Sequence, residues 1–482
     1  MQRSLTVIHA LGMMLVMFSA MYALPVVGSL IYQDGTTSVF LIAMATTFVA
    51  GCAMWYLTRG EKGQLTIRHG YVLVIMMWTA MPAFATLPLL DKLSFTDAYF
   101  ETMSAMTTSG GTVLVGLDNL PPAINLWRHE LNWLGGLGVI VLAVAILPLL
   151  GIGGRQLFKA ETPGPMKDSS LTPRITETAR NLWLVYVMIT VVCILVLKIV
   201  GMSWLDAICH AFSAMSLGGF STHDASVGYF NSPAIELVLS IFMLLAAINF
   251  ATHFMAWRTK NWRLYLRDSE AIATISLILI SVFGLAIFLW GHNVYPSFLT
   301  ALRHASFNLI SVATSSGYAS VDYAQWPIFA PLLMLFLSCV AASSGSTGGG
   351  IKMIRTLILF KQAGREFTKL LHPNSVNPMK VGGGVVDNNI VYAVLGFIFL
   401  YFMSITTLTF VMLFTGLDFL TAFSAVLASV NNVGPGLGSV GPASNYAGLT
   451  DFQTWICTLG MLIGRLEIIT FLIIFTPRFW LR

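Results

Sequence analysis

The sequence predicts an all-α polytopic membrane protein: four pseudo-symmetric helix–half-helix–helix repeats around a central pore, with two extra N-terminal spans. Three observations predict it. Only 10% of the 482 residues are charged and the mean hydropathy is +0.78, outside the range of soluble domains. Apolar runs of spanning length recur along the chain. Four glycine-centred polar runs stand in register between them.

The apolar runs lie near Leu5–Tyr32, Val39–Leu57, Tyr71–Leu90, Leu126–Leu150, Leu182–Val200, Ala234–Trp257, Ala271–Trp290, Ile328–Phe360, Ile390–Phe414 and Trp455–Phe475, which predicts about ten spans. The first continues past the small residues of Ser19–Ala23, so it reads as a span and not as a cleaved signal peptide. Of the 26 basic residues, all but Lys92, Arg128, Lys198, Arg303, Lys352 and Arg465 fall at the termini or in alternate loops. Cytoplasmic loops retain Lys and Arg, so both termini are expected inside. This bias also accounts for the net charge of +5 without a nucleic-acid partner. The five cysteines show no CxxC or metal-ligand spacing and read as reduced packing residues.

The polar runs are TTSGGTV (Thr107–Val113), SLGGFST (Ser216–Thr222), TSSGYAS (Thr314–Ser320) and NNVGPGL (Asn431–Leu437). They align on Gly110, Gly219, Gly317 and Gly434, and an alanine stands twelve residues before each glycine, at Ala98, Ala207, Ala305 and Ala422. The stretch before each run is too short to cross a bilayer, which predicts a re-entrant half-helix of about twelve residues. The expected units are residues 1–69 for the two extra spans, then repeats at 70–160, 161–267, 268–372 and 373–482.

Non-helical backbone survives at membrane depth only inside protein or beside a water-filled cavity. Four such loops facing one axis supply rings of carbonyl oxygens, the chemistry that replaces the hydration shell of an alkali cation. The expected filter residues are Thr108, Ser109 and Gly110; Leu217, Gly218 and Gly219; Ser315, Ser316 and Gly317; and Asn432, Val433 and Gly434. Half-helix C-termini directed at the axis would add partial negative charge, and Asp97 and Asp206 suit the opposite ends.

SSGSTGGGIK (Ser343–Lys352) interrupts the run Ile328–Phe360. Its glycine spacing is near that of a phosphate loop, but Ile351 stands where lysine is required, so a broken spanning helix serving as a gate is expected at Gly345, Ser346, Thr347, Gly348, Gly349, Gly350 and Lys352. Arg465 sits in an apolar run, and Glu467, two residues on, faces elsewhere on a helix. It reads as a gate cation below the filter, the alternative being a snorkelling side chain. WLGGLGVI (Trp133–Ile140) reads as close helix packing. His210 and His304 read as hydrogen-bonded structural histidines rather than proton relays. Asp118, Asp224, Asp322 and Asp451 fall near the outer mouth, either concentrating cations or merely solvated. The basic segments Gly153–Asn181 and Phe360–Asn389 suit anionic lipid or a docking protein.

These strings, with GSTGGGIKMIR (Gly345–Arg355) and GRLEIITFLIIFTPRFW (Gly464–Trp480), resemble the Trk/Ktr/HKT potassium transporter superfamily over essentially the whole chain, and within it the bacterial Trk-type membrane subunit. Leu217 departs from the hydroxyl residue of the first loop. The resemblance implies potassium uptake across a bacterial inner membrane by a non-enzymatic homodimer. It implies no cofactor in this chain, potassium being the substrate, and a cytosolic nucleotide-binding regulatory ring that docks on it. A proton- or sodium-coupled symporter using the same loops as a binding site is the alternative.

Overall fold

The computed structural model describes residues 2–60, 66–141, 175–375 and 377–480. Helices α1 (Gln2–Ser19) and α2 (Ala23–Tyr32), joined by a 3-10 turn, make the first span, and α3 (Thr37–Leu57) returns beside it. Gly12 and Gly51 let α1 and α3 touch backbone to backbone: a Cβ on either would sit under 3.0 Å from the other's carbonyl oxygen.

Four units follow. The first holds α4 (Ile67–Ala85), α5 (Phe95–Met106) and α6 (Pro122–Val141), and the second holds α7 (Ile175–Ile199), α8 (Trp204–Ser216), α9 (Pro233–Ala247) and α10 (Phe250–Thr259). The third holds α11 (Ser269–Gly291), α12 (Phe298–Ala313), α13 (Phe329–Val340) and α14 (Met353–Leu371). The fourth holds α15 (Asn388–Phe414), α16 (Phe419–Asn431), α17 (Asp451–Arg465) and α18 (Ile468–Leu472), and α19 (Pro477–Trp480) closes the described chain.

Six stretches among the described residues are long and apolar enough to cross a membrane, or eight when two bent pairs each count as one. The expected ten are therefore too many as uninterrupted helices. The run Ala234–Trp257 bends by 95° between α9 and α10, and Trp455–Phe475 bends by 111° between α17 and α18. Ile328–Phe360 is two helices with 341–352 between them, and the fourth run leaves the described residues after 141. Most of the basic segment Gly153–Asn181 likewise lies outside them. Among the described residues the helices and their loops are joined by one hairpin, β1 (Lys380–Val381) with β2 (Gly384–Val385), turned by Gly382 and Gly383 at positive φ.

Polarity is distributed inside out. Large apolar side chains such as Leu57, Ile199 and Phe414 are at least 80% exposed, whereas Ser104, Thr107, Ser213, Ser311, Thr314 and Asn431 are fully buried around the centre. A surface facing lipid and an interior of satisfied polar backbone account for both.

Candidate functional site: the glycine ring and the loop beneath it

The four half-helices α5, α8, α12 and α16 have 12, 13, 16 and 13 residues. Each begins with a side-chain cap: Ser94, Ser203, Ser297 and Asp418 accept from the amides of Asp97, Asp206, Thr300 and Thr421. Each ends in the same Schellman-type closure, with the amides of Ser109, Gly218, Ser316 and Val433 donating to the carbonyls of Ser104, Ser213, Ser311 and Ala428 at 2.8–2.9 Å. The turn requires left-handed backbone at Thr108 (φ 54°), Leu217 (56°), Ser315 (62°) and Asn432 (53°), and again two residues later at the four glycines (φ 67–94°). A non-glycine residue there costs about 1 kcal/mol, most for β-branched Thr108.

The loops close on one another. A Cβ on Gly110 would fall within 3.0 Å of the carbonyl oxygen of Gly218, on Gly219 of Ser316, on Gly317 of Val433, and on Gly434 of Ser109, the last at 2.7 Å. The order one–two–three–four–one is a ring in which each glycine faces the carbonyl preceding the next glycine. Asn432 Nδ2 ties the last loop to the first by donating to Ser109 Oγ at 2.7 Å. All four glycines line one cavity of about 80 Å³, with Arg128, His223, Asp224 and Tyr446 among its walls.

Arg128, near the start of α6, is a buried charge beside the ring. It is 1% exposed and its Nε donates to Glu101 Oε1 at 2.7 Å, while Glu101 also accepts from Thr112 Oγ1 and from the Val113 amide at 3.0 Å. Its guanidinium lies 4.4 Å over the ring of Phe220, from the second loop. This buried pair, which sequence reasoning missed, braces two loops at once; an acid inside an apolar half-helix was the available signal.

His210 is buried, with Nδ1 on the Asp206 carbonyl and Nε2 on Ser221 Oγ at 2.8 and 2.9 Å, a structural arrangement. His304 stacks on Tyr295 with centroids 5.0 Å apart. In the wall of the ring cavity His223 bridges Asp118 and Asp206. Burial pulls its pKa down, but hydrogen bonds and charges from Asp206 and Asp118 outweigh this and raise it above the usual histidine value. Burial alone would raise Asp118, yet hydrogen bonds from His223 and the Asp224 amide hold it below the ordinary aspartate value. Asp224 accepts from the Leu117 amide, Asp322 accepts from the Ala324 amide, and Asp451 stands in the first turn of α17. No group of three metal-ligating side chains occurs among the described residues.

Below the ring, residues 341–352 form a loop whose tip touches three half-helix ends. Thr347 Oγ1 donates to the Met215 carbonyl at 3.0 Å, the Gly349 amide donates to Ser315 Oγ at 2.7 Å, and a Cβ on Gly349 would strike the Asn431 carbonyl. Arg465 is 5% exposed and donates to the carbonyls of Thr347 and Gly135, both at 3.0 Å. Its charge is held between the loop and α6 and reaches no surface. Glu467 instead accepts from Arg355 Nη2 at 2.8 Å. Lys352 Nζ donates to the Gly348 carbonyl, so it folds back on the loop. Gly345 lies against Asn249, and Gly350 against the carbonyls of Ser338 and Cys339. Gly135 and Gly136 of the WLGGLGVI stretch press on the ends of α5 and α8, which is helix packing.

Residues 36–481 match the TrkH family, described as a cation transport protein. The Trk system potassium uptake protein TrkH of Salmonella typhimurium is 44% identical over 473 residues, covering 97% of this chain and 98% of that protein. The Trk system potassium uptake protein TrkG of Escherichia coli is 39% identical over 483 residues, 98% of each. The crystal structure of the potassium transporter TrkH from Vibrio parahaemolyticus superposes with a TM-score of 0.91 at 41% identity, covering 99% of both chains.

Proposed function

The chain belongs to the TrkH family of cation transport proteins, and from that membership we infer that it is a membrane transporter for potassium uptake and not an enzyme. The ring of Gly110, Gly219, Gly317 and Gly434 is its filter. The observation that carries this reading is the cyclic order in which each glycine faces the next loop's carbonyl. Backbone oxygens held so replace the hydration shell of an alkali cation, and the half-helices end at the ring with the negative pole of their dipoles beside it.

The loop 341–352 and Arg465 form the gate. A guanidinium fixed beneath a cation filter raises the barrier to conduction, and its hydrogen bond to Thr347 keeps the loop tip across the exit. The four units are pore repeats within residues 70–160, 161–267, 268–372 and 373–482, behind a two-span N-terminal region, and both termini face the cytoplasm of a bacterial inner membrane. The working assembly is a homodimer carrying a cytosolic nucleotide-binding regulatory ring on its basic inner face.

The test is cation flux into liposomes holding the purified protein, with potassium, rubidium, sodium or lithium outside, a set membrane potential and two pH values. Potassium and rubidium flux that follows voltage and ignores the proton gradient is expected. Uphill flux driven by a proton or sodium gradient would make the ring the binding site of a coupled symporter.

A further inference from the structure

Residues 341–352 form a loop with a tied neck. The Ile351 amide donates to the Cys339 carbonyl and the Met353 amide to the Ala342 carbonyl, both at 2.7 Å. A third tie comes from outside the loop. Glu270, in the first turn of α11 and 0% exposed, accepts with one oxygen, Oε1, from the Ser344 amide at 3.0 Å and the Ile354 amide at 2.9 Å. These amides stand on opposite sides of the tip, so a single carboxylate oxygen holds the two arms together. Thr274, four residues on and therefore on the same face of α11, meets Ser343 Oγ at 3.4 Å. Glu270 is itself held, because Asp268 caps α11 by accepting from the Glu270 and Ala271 amides at 3.0 and 3.2 Å.

The tip meets the half-helix ends through Thr347 and Gly349, and what grips the neck sets the position of the two arms that carry it there. Two amide hydrogen bonds converging on one buried carboxyl oxygen join the two arms of that neck from outside the loop. We propose that Glu270 is the positioning residue of the gate: it shuts the neck of the 341–352 loop and thereby keeps Thr347 beneath the ring, where Arg465 can reach it. The inference rests on the gate reading and adds to it a residue that touches neither the ring nor Arg465.

The experiment measures basal potassium flux, the potassium-to-sodium flux ratio and thermal melting for the full chain in liposomes and in detergent, with Glu270→Ala, Glu270→Gln and Arg465→Ala side by side. Glu270→Ala is expected to raise basal flux by about tenfold, since opening of a two-state gate rises with loss of what favours the closed state, with the flux ratio unchanged. Glu270→Gln keeps an oxygen that accepts both amides and is expected to stay within about twofold of the parent. Wild-type flux in Glu270→Ala beside raised flux in Arg465→Ala overturns the role of Glu270 and leaves the gate standing. Parental flux in both variants removes the gate reading, and the proposal with it. Equal effects of Gln and Ala, or a flux rise that comes with a lost flux ratio, also overturn it. Should Glu270→Ala fail to fold, Glu270→Asp, which withdraws the oxygen by one methylene, takes its place with the same expected rise, and parental flux there overturns the proposal.

Discussion

The ring and the loop below it are both irregular backbone buried in the molecule, yet they are held in opposite ways. In the ring each loop is shaped by its own half-helix: the closing hydrogen bonds run only five residues back, four times over. In the lower loop the decisive partners come from far along the chain, namely Glu270, Arg465 and Ser315. Local, repeated bonds make a rigid element, because no single side chain controls it. Distant, single bonds make an element that one side chain can release. A filter suits the first design and a gate the second.

The sharpest attack on this contrast goes through the ring's buried ion pair, one of its long-range braces. Arg128→Ala leaves Glu101 charged and buried without its partner, which is expected to cost about 3–5 kcal/mol and to appear as a large drop in melting temperature. A small drop would mean that the loops need no such brace. Gly219→Ser puts a Cβ into the Ser316 carbonyl at a left-handed position, and the potassium-to-sodium flux ratio is expected to fall by about tenfold or more. Gly434→Ser, where the clearance is 2.7 Å, is expected to fall by less. Unchanged selectivity in both, with the protein folded, would remove the filter assignment. Arg465→Ala is expected to raise basal flux by about fivefold while the flux ratio stays put, because one hydrogen bond to the lower loop and one to α6 are lost and none to the ring; a changed ratio would erase the separation between the two regions.

The smallest effect concerns pH. The folded-state pKa of His223 is raised, so its contribution is complete below the unfolded value of about 6.5 and disappears as pH climbs through the folded value. Stability is therefore expected to decline slightly from pH 6 to pH 9 in the parent, by less than about 1 kcal/mol given the exposure of Asp118, and to be read as a small fall in melting temperature. In His223→Asn that component of the decline is expected to vanish.

How much of this was readable in the sequence follows the same divide. The four glycines were visible because left-handed backbone at a fixed place selects glycine and the selection recurs four times. The left-handed residues two positions earlier were not, because Thr108, Leu217, Ser315 and Asn432 share no chemistry; their conformation is imposed by the closing hydrogen bond. The loop at 341–352 announced itself through its glycines. The bends after α9 and α17 did not, since apolar residues continue on both sides of Asn249 and of Arg465. Nor did the pairing of Glu101 with Arg128, 27 positions apart, or the grip of Glu270 on Ser344, 74 apart.

One consequence of the ring's cyclic order concerns how it can change over generations. A ring of four identical subunits alters everywhere when one codon alters. Here the four quadrants carry Ser109, Gly218, Ser316 and Val433 at the facing carbonyls, each encoded separately. A substitution therefore reaches a quarter of the circumference and two of its four seams, so selection can tune the passage in single steps.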